Sequence, residues 1–118
     1  MRTWLNSARH AAAGMARLWR EERNARIESA LAVLAILLGV ALDISPGEWV
    51  AILLSIGIVL CAEGMNAAIE RLANLYTTQR DDRIKAIKDL AAGAVLLAAC
   101  AALATGLLIF LPRIMSLG

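Results

Sequence analysis

Between Leu90 and Leu111 the chain reads LAAGAVLLAACAALATGLLIFL, without one charged residue. A run of that length meets the roughly 20 apolar residues that a helix needs to span a bilayer. Two further apolar runs precede it, Ser29 to Leu42 and Trp49 to Ala62. Each alone is short for a span, and each continues into a polar end. Glu22, Arg26 and Glu28 precede the first, and Glu63 to Asn74 follow the second. Helices that continue through those ends are long enough to cross. The whole chain has only 118 residues, 60% of them hydrophobic, with a mean hydropathy of +0.67. A soluble domain this small has no core able to hide so much apolar surface. The expected class is an all-α membrane protein.

Asp43-Ile44-Ser45-Pro46-Gly47-Glu48 joins the first two spans. Ser45 suits an N-cap, Pro46 the first helical position, and Glu48 the positive end of the helix dipole. So short a link implies an antiparallel hairpin, with Trp49 placed as an interfacial anchor. Upstream, Trp4, Leu5, Ala8, Ala12, Met15 and Trp19 recur at helical spacing, while Arg2, Arg9, Arg17 and Arg20 lie largely off that stripe. This reads as an amphipathic helix lying on the membrane surface. The expected organisation is one domain over 1–118: a surface helix at 1–21 and spans at 22–43, 47–75 and 83–112. The N-terminal residues show no compact apolar region with a cleavage site, so no removable signal peptide is expected.

Six arginines precede the first apolar run and five basic residues lie between the second and third runs. The hairpin has none, and the C-terminal tail has only Arg113. The positive-inside rule then puts the N-terminus in the cytoplasm and the C-terminus outside. Net charge is +2, which offers no general attraction for nucleic acid. Cys61 and Cys100 sit inside apolar runs without a CxxC or Cys/His cluster, and are expected to be small buried residues.

Against that background, Glu63, Asn66 and Glu70 are out of place. Offsets of three and seven residues put them on one helical face. An ionisable group at membrane depth is costly and usually serves a function. Hairpin geometry brings three polar groups to one membrane level: Glu22, Arg26 and Glu28; Glu63, Asn66 and Glu70; Lys88 and Asp89. Clustered carboxylates with a lysine suit a divalent cation, phosphate groups and a general base. No Walker loop or kinase glycine-rich loop is present. Structural alternatives stand beside this reading. Glu22 and Arg26 suit an i,i+4 surface pair. Lys88 and Asp89 suit ordinary juxtamembrane charges, and Glu63 and Glu70 suit protonated carboxyls joining helices. Gly64 and Gly93 are isolated glycines of the kind found at close helix contacts. A small ion-coupled transporter using Glu63 and Glu70 is a further possibility, although midplane sites are expected of that class.

The spacing Glu63-x-x-Asn66-x-x-x-Glu70, with ERNARI (Glu22–Ile27) before it and Lys88-Asp89 after it, resembles the prokaryotic diacylglycerol kinase family. The likeness runs through ARHAAAGMARLWREERNARIE, LDISPGEWVAILL, AEGMNAAIERL, AIKDLAAGAVLLAA and LLIFLPRI, essentially the whole chain. ERNARI, KDLAAGAVLLAA and IFLPRI look most like the undecaprenol kinase branch.

The resemblance implies a homotrimer of three-span subunits in the bacterial cytoplasmic membrane, with active sites shared between subunits. It implies transfer of phosphate from ATP to a lipid alcohol, undecaprenol before diacylglycerol, with Mg²⁺ as cofactor. By it, Glu63 is the general base, and Glu22 and Glu70 hold Mg²⁺. Lys88 neutralises ATP phosphates with Asp89 nearby, while Asn66, Arg26 and Glu28 orient these groups or touch nucleotide. Arg9 and Gly14 belong to the part of the surface helix that encloses adenine. Two departures stand out. Asn74 occupies a position where the family usually has Asp, and Thr78–Arg83 replaces its usual Asp/Glu-Tyr-His loop. They raise a third possibility, a catalytically impaired member with a regulatory role.

Overall fold

The computed structural model describes residues 2–118; Met1, the first residue of the expected 1–21 segment, and the side chain of Arg2 lie outside the described residues. Four helices account for nearly all of it: α1 (Arg2–Glu21), α2 (Arg23–Ala41), α3 (Pro46–Tyr76) and α4 (Asp82–Leu117). The last three are long and apolar enough to cross a membrane, and α1 is amphipathic. At 1.5 Å per residue, α2 is about 28 Å long, whereas α3 and α4 reach about 46 and 54 Å. The hydrocarbon core is roughly 30 Å thick. The two long helices therefore carry polar extensions beyond it. The protein is an integral membrane protein.

α2 and α3 form the hairpin that the sequence anticipates. Asp43 adopts the left-handed conformation (φ 52°), which a short polar side chain tolerates. Ser45 and Glu48 then form a reciprocal capping box. The Ser45 hydroxyl accepts from the Glu48 amide at 3.2 Å, and the Glu48 carboxylate accepts from the Ser45 amide at 2.9 Å. Glu48 also receives the guanidinium of Arg113 from α4, with Nε at 3.2 Å from Oε2 and Nη2 on Oε1. Beneath this clasp Ile44, Ile52, Ile109 and Phe110 are buried together.

Among the glycines the tightest approach lies in the hairpin, not at Gly64 or Gly93. A Cβ placed on Gly39 would lie 2.7 and 2.9 Å from ring atoms of Trp49. Trp49 is half-buried against α2, so its indole packs inside the hairpin rather than serving only as an anchor. Gly64 meets Leu18 and Met15 of α1 at ordinary contact distance, and Gly93 has no neighbour within 4 Å. The tight turn brings α2 and α3 together at Gly39, and α4 presents Gly93 to its surroundings.

α1 touches the bundle through one residue above all. Leu18 is buried with Ala25 of α2 and Ala67 of α3. Trp4, Leu5, Met15 and Trp19 remain exposed, as a face meant for a bilayer surface requires. Cys61 and Cys100 are exposed rather than buried. Much of the helical surface is equally open, with Leu97 at 73% and Leu108 at 78% exposure. One chain supplies too little of itself to bury these runs, and lipid or another subunit is their natural environment.

A candidate active site at the polar end of the bundle

The polar end of α3 lies against a bend in the chain. α1 and α2 are separated by a single non-helical residue, Glu22 (φ −112°, ψ 114°). Its amide still donates to the Leu18 carbonyl at 2.9 Å, so the bend is an elbow rather than a loop. Arg26 closes it from the other side. Its Nη1 donates to the carbonyls of Trp19 and Arg20 at 3.1 and 2.9 Å, satisfying groups at the end of α1 that a helix terminus leaves unpaired. Leu18, Ala25 and Ala67 then pin the elbow to α3. The result delivers Glu22 to the side of α3 that carries Glu63, Asn66 and Glu70.

Glu63 is the one buried charged residue among the described residues, at 5% exposure. Its carboxylate lies within electrostatic reach of Glu28, Glu22 and Glu70. Four acidic side chains from two helices and the elbow thus share one region. Glu70 is exposed and Glu28 half-buried. Asn66, one turn from Glu63, has its Oδ1 buried without a hydrogen-bond partner. An orphaned buried acceptor calls for an explanation, and a group brought by a ligand supplies one.

The third polar group stands one turn further along. Lys88 Nζ donates to Asn74 Oδ1 at 2.8 Å, and Asp89 pairs with Lys85 at 2.6 Å. Among the described residues no hydrogen bond or ion pair joins Lys88 or Asp89 to Glu22, Glu28, Glu63 or Glu70. The expected convergence is therefore partial within one chain. The carboxylates of α2, α3 and the elbow gather, while the α4 pair lies beside Asn74. Arg9 and Gly14 are exposed on α1, and a Cβ on Gly14 would have open space around it. The i,i+4 pairing of Glu22 with Arg26 does not form. Arg26 turns back to the carbonyls, and Glu22 pairs instead with Arg71 at 3.2 Å.

Arg71 escapes notice in the sequence. It is the single basic residue between Glu63 and Asn74, placed directly after Glu70. Its Nη2 bridges Glu21 at 2.9 Å and Glu22 at 3.2 Å. Leu18 is the other omission, because the α1 stripe read from Trp4 to Trp19 passes beside it.

Whether this end fits a divalent cation turns on its donors. No three His, Cys, Asp or Glu side chains among the described residues lie close enough together to hold a metal ion. Mg²⁺, however, is commonly held by one or two carboxylates together with water and substrate phosphate oxygens. Glu22 and Glu70, each within electrostatic reach of the buried Glu63, supply two carboxylates of the kind that hold an ion arriving with phosphate.

A family model for prokaryotic diacylglycerol kinase matches residues 9–110. The chain is 39% identical over 105 residues to an undecaprenol kinase of Bacillus subtilis, covering 89% of this chain and 85% of that one. It is 35% identical over 114 residues to a diacylglycerol kinase of Synechocystis sp., covering 96% of this chain and 65% of that longer protein. The match spans the elbow, the α3 stripe and the Lys88-Asp89 pair together, and the chain belongs to the prokaryotic diacylglycerol kinase family.

Proposed function

We propose that this protein transfers the γ-phosphoryl group of ATP to the hydroxyl of a membrane lipid alcohol, with undecaprenol the preferred acceptor and diacylglycerol the second. Lipid kinase activity agrees with the family and with both relatives. The observation that carries the reading is the buried Glu63 set among three other carboxylates at one end of apolar helices. A lipid alcohol stays with its chains in the bilayer, so the base that deprotonates it must sit at membrane level.

In this reading the Glu63 carboxylate takes the hydroxyl proton as the lipid oxygen bonds to phosphorus. The bond from phosphorus to the β–γ bridging oxygen breaks, leaving ADP and the lipid phosphate. Asn66 orients the acceptor region through its unpaired Oδ1. Glu22 and Glu70 hold Mg²⁺, which supplies charge neutralisation at the phosphates. Lys88, with Asp89 beside it, meets phosphate charge, and Arg26 and Glu28 support the elbow side. Arg9 and Gly14 lie on the helix that closes over the nucleotide. Because Lys88 stands apart from Glu63 in one chain, a homotrimer with composite sites completes the arrangement. The exposed apolar faces of α2–α4 support the same assembly. The charge distribution supports a cytoplasmic site in the bacterial inner membrane.

Purified protein in detergent, with labelled ATP, Mg²⁺ and each lipid in parallel, tests the proposal. Labelled undecaprenyl phosphate in excess of phosphatidic acid is expected. No labelled lipid from any acceptor, with a positive control active, overturns it. Flux of a solute in proteoliposomes without ATP would instead support a transporter. Glu22 lies at the elbow, Glu28 in the second turn of α2 and Glu70 near the end of α3, which places the acidic group toward one membrane face rather than the midplane and argues against that outcome.

A further inference from the structure

We infer that Arg71 is a positioning residue that holds the Glu22 carboxylate in place for the cation carried by ATP, an assignment that rests on the kinase reading above. The acidic region joins Glu22, Glu28, Glu63 and Glu70, and three cations on the adjoining helices are engaged elsewhere. Arg26 binds carbonyl oxygens, Lys88 binds Asn74 and Lys85 binds Asp89. Arg71 is the cation paired with Glu22.

Its geometry leaves the site half open. One guanidinium nitrogen, Nη2, serves Glu21 Oε1 at 2.9 Å and Glu22 Oε1 at 3.2 Å. Arg17 backs the pair by approaching Glu21 at 3.7 Å. The second Glu22 oxygen takes no part in these contacts, so fixing Oε1 orients Oε2 without consuming it. Glu22 is also the one non-helical residue at the elbow, where its side chain would otherwise swing with the bend. An ion pair with 44% and 34% side-chain exposure contributes little to stability. Its consequence lies in where it places an oxygen. The outer partner that orients a metal ligand affects affinity far more than it affects folding.

The test uses the full chain in lipid nanodiscs. Binding of labelled ATP is measured by equilibrium dialysis across a Mg²⁺ series, beside the KM for ATP and for lipid. Arg71→Ala should weaken ATP binding about tenfold, the lower end of what losing such an outer partner costs. The Mg²⁺ concentration for half-maximal ATP binding should rise, with the lipid KM unchanged. Arg71→Lys keeps the charge, should keep the fold, and should restore most of the binding. Unchanged ATP and Mg²⁺ affinity in Arg71→Ala would overturn the assignment, leaving a surface ion pair only. Equal loss of ATP and lipid affinity would overturn it too, and so would a lysine variant no better than alanine. Parent protein that binds ATP with Mg²⁺ but phosphorylates no lipid alcohol defeats the kinase reading while the binding comparison still decides Arg71. Active parent with indifferent Arg71 variants defeats the Arg71 assignment alone, and parent that binds no ATP defeats both.

Discussion

Glu48 and Glu63 lie on the same helix, about four turns apart, in opposite circumstances. At the hairpin end, Glu48 accepts from the Ser45 amide and from Arg113, whose Nη1 also reaches the Leu42 carbonyl at 3.5 Å. Those polar groups find partners within the chain. At the other end, Glu63 is buried, Asn66 Oδ1 has no partner, and among the described residues Arg71 pairs with Glu22 while Glu28, Glu63 and Glu70 form no ion pair. A satisfied cluster adds rigidity, whereas an unsatisfied one at low dielectric is costly to keep. The difference separates a clasp that holds three helices together from a site arranged for something to bind.

The largest effect expected from breaking this contrast is at Glu63. Glu63→Gln preserves size and removes the base, so lipid phosphorylation should fall at least ~100-fold, the contribution of a positioned general base. Its oligomeric state and melting temperature should stay near those of the parent. Near-normal turnover would strip Glu63 of its role. At the hairpin end the reverse is expected. Gly39→Ala drives a methyl into Trp49 and should cost about 1–3 kcal/mol of stability, as overpacking does, with kcat of the surviving protein unchanged. Thermal unfolding in detergent reads the first quantity and the lipid assay the second.

Asn74→Asp makes the polar end resemble the clasp. A carboxylate there would pair with Lys88, which now meets a neutral amide. The KM for ATP should rise by about fivefold or less, in keeping with a partly exposed ion pair. Higher activity instead would mark the parent as an impaired member of its family. The smallest effect concerns the N-cap of α4. The side chain and amide of Arg83 hold the Asp81 carboxyl at about 2, below its ordinary 3.8. A lowered carboxylate pKa stabilises the folded state above the ordinary value, and that contribution disappears as pH falls through about 2. Protection of the Arg83 amide against hydrogen exchange, relative to an unstructured chain at the same pH, should therefore persist at pH 4 and fall toward pH 2. Protection already lost near pH 4 would show that Arg83 does not hold the cap.

Much of this is legible in the order of residues. Uninterrupted apolar runs marked the spans because length and hydropathy suffice for that. Ser45-Pro46-Gly47-Glu48 announced its own cap, since its partners are three residues apart. The α3 stripe stood out because charge is rare in such surroundings. What escaped was long-range. The role of Leu18 depends on Ala67, and that of Gly39 on the direction of the Trp49 ring. Cys61 and Cys100 are exposed rather than buried because apolar sequence neighbours say nothing about which helix face turns outward.

Helical periodicity and hydropathy are local properties, and they suffice to specify an integral membrane protein of helices with an acidic stripe. Which charges meet depends on packing. Arg26 closes the elbow rather than pairing with Glu22, Arg71 takes that place across 49 residues, and Lys88 rests on Asn74 instead of the carboxylates. Those choices follow from a one-residue bend at Glu22 and from how α2 and α4 pack on α3, and no spacing rule along the chain encodes either.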